Sequence, residues 1–186
     1  MKLQGFLIVC LVGIVFAVMV GPVSGANTAA LTGTLGSNIG ITVNTANVAL
    51  AGFTAGSTAT GADTITIFAN SPRGATVSVA DTGAAPHTIL GYMSNATGAA
   101  YQTPNTELAS PLVIAGTPST TQGGTTVTGS TTSGPIASPT PFYSSNGPLS
   151  SITLPVSFTQ VVSLIDPTLP TGNQYRIDLT FTIASN

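Results

Sequence analysis

The chain has 186 residues, of which 4% are charged, and a formal net charge of −2. Three lysines and arginines in all exclude the basic surface that phosphate binding needs, so nucleic acid is not an expected partner. The single cysteine, Cys10, excludes an internal disulfide framework and a thiolate metal site.

The amino end opens with Lys2, followed by an apolar or glycine run from Phe6 to Val20 that Gly21 and Pro22 break. The run is shorter than the roughly 20 residues a spanning helix needs. Small residues at Val23-Ser24-Gly25 suit a signal peptidase, so the sequence predicts a signal helix over 1–25, cut between Gly25 and Ala26. The expected product, residues 26–186, is secreted to the cell surface or beyond, with no permanent membrane anchor. Cys10 leaves with the signal. Two arginines, Arg73 and Arg176, then stand against Asp63, Asp81, Glu107, Asp166 and Asp178, a net charge of −3 with no lysine.

From residue 26 onward no helical periodicity appears. Short alternating runs rich in Thr, Ser, Val and Ile are separated by Gly, Pro and Asn, which predicts one all-β domain, an antiparallel β-sandwich of immunoglobulin-like or jelly-roll-like type. Strands are expected near 29–35, 38–44, 46–53, 63–69, 75–81, 87–93, 107–114, 151–159, 160–165 and 174–184. The runs 63–69 and 75–81 read as a hairpin. Pro72 and Gly74 suit the second and fourth positions of a type I turn. Residues 115–150, rich in Gly, Ser, Thr and Pro, read as a long surface excursion. Pro155 cannot donate to a ladder, so its strand should be an edge or carry a bulge. In the last run Tyr175, Ile177, Leu179, Phe181 and Ile183 share one face, and Arg176 and Asp178 sit together on the other.

No catalytic, cofactor or metal pattern stands out. His87 has no neighbouring ligand in sequence and reads as a surface or turn residue after Pro86; the five carboxylates are dispersed. Phe142 and Tyr143 are the one aromatic pair that could contact a ligand such as a glycan; the alternative is that they cover the core beneath the excursion. Asn95, in Asn95-Ala96-Thr97, fits a glycosylation sequon on a surface loop.

Charge normally keeps β-edges apart, and a domain with so little of it is suited to edge-to-edge association. The stretches "LTGTLGSNIGITVN", "DTITIFANSPRGATVSVAD" and "PTGNQYRIDLTFTIASN" resemble secreted prokaryotic cell-surface β-sandwich proteins of the WxL-like and TasA/camelysin-like kind, though the mature chain has no tryptophan. The resemblance implies a fibre subunit that donates an amino-terminal strand. Here that strand would be Ala26–Gly36, carrying Leu31 and Leu35. The expected function is therefore a non-enzymatic structural subunit of an extracellular filament or surface layer, whose partners are its own copies or related surface proteins. An adhesin-like or carbohydrate-binding module is the alternative.

Overall fold

A computed structural model describes residues 35–36, 38–117, 120–134, 136 and 138–186. The expected signal cleavage at Gly25 and Ala26, the strand at 29–35 apart from Leu35, and Leu31 fall outside these residues.

The Thr/Val/Ile alternation forms thirteen strands and no helix among the described residues. They are β1 (Ile39–Val43), β2 (Ser57–Ala69), β3 (Ala75–Asp81), β4 (Ser94–Thr97), β5 (Ala100–Tyr101), β6 (Val113–Gly116) and β7 (Thr120–Gln122). Then follow β8 (Thr125–Gly129), β9 (Thr131–Ser133), β10 (Thr140–Ser145), β11 (Leu149–Val162), β12 (Gln174–Arg176) and β13 (Leu179–Ser185). One sheet has the order β1-β2-β11-β6-β9, a second β13-β3-β10-β8-β7, and a small third β12-β4-β5. Every pairing is antiparallel.

The two large sheets stack as a sandwich. Ile65 and Ile67 of β2, Ile114 of β6, and Leu154 and Val156 of β11 meet Val77 and Val79 of β3, Val127 of β8, and Phe142 of β10. Burying side chains of this size stabilises by about 1.5–3 kcal/mol each before entropy is counted.

Several expectations change. The strand–turn–strand around Ser71–Gly74 exists, and the Gly74 N–H closes it on the Ser71 carbonyl at 3.0 Å. It is an arch and not a hairpin: β2 and β3 belong to different sheets. Gly74 has φ +87, and a Cβ there would lie 2.1 Å from the Ser145 carbonyl oxygen, so only glycine lets the arch close against β10. Residues 46–53 form no strand; Val48 and Leu50 pack on the core from irregular chain with one bridge, Ala51 to Thr60. Residues 87–93 are turns, and the expected strands at 151–159 and 160–165 are one continuous β11.

Residues 115–150 are no surface excursion. They supply β7 to β10 and a central strand of the second sheet. Pro155 lies in a central strand. The bulge is between Leu149 and Ile152, where Ser151 takes φ 44.

Pro155 is tolerated for a specific reason. Asn44 donates to the Thr64 carbonyl, so Thr64 turns its backbone groups toward β1. Its partner across the ladder, Pro155, must therefore face β6. The β6 ladder stops at Gly116 opposite Val156, one rung short of Pro155. The Tyr143 hydroxyl fills that rung. It accepts from the Thr117 N–H at 2.7 Å and donates to the Pro155 carbonyl. Gly116 makes room, since a Cβ there would lie 2.7 Å from the Tyr143 ring.

Candidate functional site

The sequence-marked residues are dispersed. Phe142 and Tyr143 are 0% and 2% exposed, side by side in the core at 5.1 Å between ring centroids. They cover the core as one reading expects, but from a strand, and no glycan can stack on them. Asn95 is on β4 and not on a surface loop; it is buried, and its Oδ1 accepts from Asn173 Nδ2 at 2.9 Å. Leu35 is exposed and outside any strand.

His87 is not at the surface. It is 4% exposed within a polar cluster that no spacing in the sequence announced. Its Nε2 lies 2.8 Å from Asp81 Oδ2 and its Nδ1 2.5 Å from Ser94 Oγ. Since a carboxylate only accepts, the network assigns the proton to Nε2, leaving Nδ1 to accept from the Ser94 hydroxyl. Asp81 also accepts from the N–H groups of Gly83 (2.9 Å) and Gly91 (2.7 Å). Glu107 Oε1 closes the far side, taking the Ile89 N–H at 3.0 Å and Asn105 Nδ2 at 2.6 Å. Tyr101 stacks on the imidazole at 4.7 Å. Burial, with the negative charge of Asp178 second, pushes the Tyr101 hydroxyl well above its ordinary range.

The order Ser94, His87, Asp81 is that of a proton relay. However, Ser94 is 0% exposed, so a substrate cannot reach its hydroxyl. What the cluster does in this fold is tie β3, β4 and the 82–93 turns together through partners for His87, Asp81, Ser94 and Glu107, while the buried Tyr101 hydroxyl and Asn105 Oδ1 make no hydrogen bond.

Arg176 and Asp178 pair as neighbours, Nη2 to Oδ1 at 2.6 Å and Nε to Oδ1 at 2.8 Å. The hydrogen bond to Asp178 raises the Arg176 pKa further above its ordinary value. They also mark a break. The last run is two strands: β12 joins β4 in the third sheet, and β13 joins β3 in the second.

That split leaves β13 without a ladder partner on its outer side, where β1 lies close by without pairing to it. Asp178 and Asn186, either side of β13, exchange hydrogen bonds with the chain flanking β3, at Thr82 and Gly74. Even-numbered residues thus face β3, and Leu179, Phe181 and Ile183 point their backbone groups outward. On β1 the same logic holds. Asn38 and Asn44 bond toward β2, so Ile39, Ile41 and Val43 point outward. Neither strand carries a charge. Both are terminal in their sheets.

Where these edges part, a groove of about 990 Å³ reaches the core. Val48, Leu50, Phe53, Phe158, Leu179 and Phe181 wall it, and Asp63, Asp166, Asp178 and Arg176 line it too. Sequence reasoning identified the β13 alternation but missed the groove, because the groove joins residues over 100 positions apart. No family model matches the chain, and neither curated proteins nor solved structures show a match.

Proposed function

We propose that this protein is a non-enzymatic structural subunit of an extracellular filament or surface layer, assembling by strand addition between copies. The observation that supports it is the pair of uncharged, unpaired edges, β1 and β13, among the described residues. A free edge is a row of unmet donors and acceptors, and native proteins guard it with charge, proline or a cover. Here no lysine, arginine or carboxylate stands on either strand. An added strand satisfies such rungs through main-chain bonds, with side-chain pockets setting the register.

The donor we propose is Ala26–Gly36 of a neighbouring copy, which places Leu31 and Leu35 on one face at strand spacing. The glycan-binding alternative loses its support, since its aromatic pair is absorbed into the core. Negative-stain microscopy and sedimentation velocity of the exported protein test the reading. Filaments or open oligomers are expected, and deletion of residues 26–36 should abolish them while the fold persists. Dispersed single particles at every concentration would overturn it.

A further inference from the structure

Outside the Asp81–His87–Glu107 cluster, the charges of the described domain lie in two separate places. One is the Ser71–Gly74 arch. Its Arg73 is exposed and, among the described residues, makes no ion pair. The arch is held rigidly: Gly74 closes it, and Asn186 Nδ2 bonds the carbonyls of Ser145 (3.1 Å) and Arg73 (3.4 Å) behind it. The other is the groove, with three carboxylates and one guanidinium. Arg176 is committed to Asp178. Asp63 and Asp166 are left without a cation, their oxygens taking only neutral N–H groups: Thr45 at 3.2 Å, Ala109 at 2.8 Å and Ser163 at 2.6 Å. Asp63 sits midway along β2, six residues before its end at Ala69, so this wall of the groove is roughly 20 Å from the arch end of the strand at about 3.3 Å per residue.

We infer that the arch of one copy docks, Arg73 foremost, into the groove of a second copy. Arg73, the one cation without an ion pair among the described residues, and the net-negative groove are complementary in sign. They are also placed so that one copy cannot satisfy itself. The groove lining suits the occupant: it includes the aromatic rings of Phe53 and Tyr175, their centroids 5.9 Å apart, as partners for a guanidinium, and apolar side chains to meet the Pro72 ring. Different patches meeting across a contact make it heterologous, which propagates as an open chain of subunits unless the rotation closes a ring. Asn70, beside the arch, accepts from Asn38 N at 2.6 Å and donates to the Gly36 carbonyl at 2.6 Å, so Gly36 and Asn38 lie at the Arg73 end.

The inference rests on the self-assembly reading and adds the contact that gives assembly its direction. Two variants of the full chain test it. Arg73→Glu should weaken self-association at least about tenfold, the scale of one lost charge contact between partners, and combining it with Asp63→Arg should restore it. In a Cys10→Ser background, the double variant Arg73→Cys with Asp63→Cys, oxidised, should give a ladder of covalent oligomers, and neither single variant should exceed a dimer. If the wild type associates but no ladder forms and Arg73→Glu associates equally well, the docking is wrong and the assembly reading survives. If the wild type stays monomeric at every concentration, both fall.

Discussion

Two ladders in this molecule run out of rungs, and they end differently. Beyond Gly116 the β6–β11 ladder is continued by a side chain, the Tyr143 hydroxyl joining Thr117 to Pro155. Along β1 and β13 the outward rungs of Ile39, Ile41, Val43, Leu179, Phe181 and Ile183 have no such replacement among the described residues. One gap is met from within, at the cost of ordering a tyrosine in the core. The other is available to be met from outside. That contrast gives the assembly proposal its physical content: the chain can seal a ladder with a side chain, and at this seam it does not.

The largest expected effect lies on the sealed side. Phe142 is 0% exposed and meets both Tyr143 and Phe181. Phe142→Ala should cost about 3–5 kcal/mol in denaturant unfolding, from lost transfer energy and the cavity left behind. A loss under about 1 kcal/mol would mean that the two sheets do not share this core.

Removing the bridging oxygen comes next. Tyr143→Phe keeps the ring and leaves Thr117 N–H and Pro155 C=O unmet, which should cost about 1–3 kcal/mol. Burial raises the Tyr143 pKa, against a smaller lowering from Thr117, and burial also raises those of Tyr101 and Tyr175. A raised folded-state pKa favours the neutral phenol. The stability it brings is whole below the unfolded value of about 10 and is lost as pH climbs beyond it. Thermal unfolding should therefore fall off above about pH 10, less steeply in Tyr143→Phe. An unchanged alkaline limb would remove Tyr143 from the cause.

The strands near 38–44, 63–69, 75–81 and 151–159 and the turn were legible because period-two alternation and Pro-Arg-Gly chemistry are local, whereas the expected strands at 46–53 and 87–93 do not form. What crosses the chain was not. Pairing β2 with β3 looks natural from a four-residue turn, yet Gly74's close approach to Ser145 sends them to opposite sheets. The 115–150 stretch looks like loop because its strands are short and threonine-rich; only packing shows Val127, Phe142 and Tyr143 as core. His87 looks isolated because Asp81, Ser94 and Glu107 reach it through turns with no periodic signature. The open seam needs both sheet orders before it exists at all.

The smallest effect on stability carries the sharpest test of the contrast. Thr182 lies on the free edge strand with its side chain away from the core, and so does Thr42 on β1. Thr42→Lys with Thr182→Lys should change unfolding free energy by only about 0.5 kcal/mol per site, as for other exposed positions. Charge on an edge opposes the approach of another strand, so self-association should drop steeply. Hydrogen exchange supplies the residue-level readout. In the dispersed protein the outward amides of Ile41, Phe181 and Ile183 should exchange much faster than those of Val77 and Val79 in the interior of the sheet. In the assembled protein the first set should become protected and the second unchanged. If lysines on both edges leave assembly intact and the outward amides unprotected, strand addition at this seam is not how the copies meet.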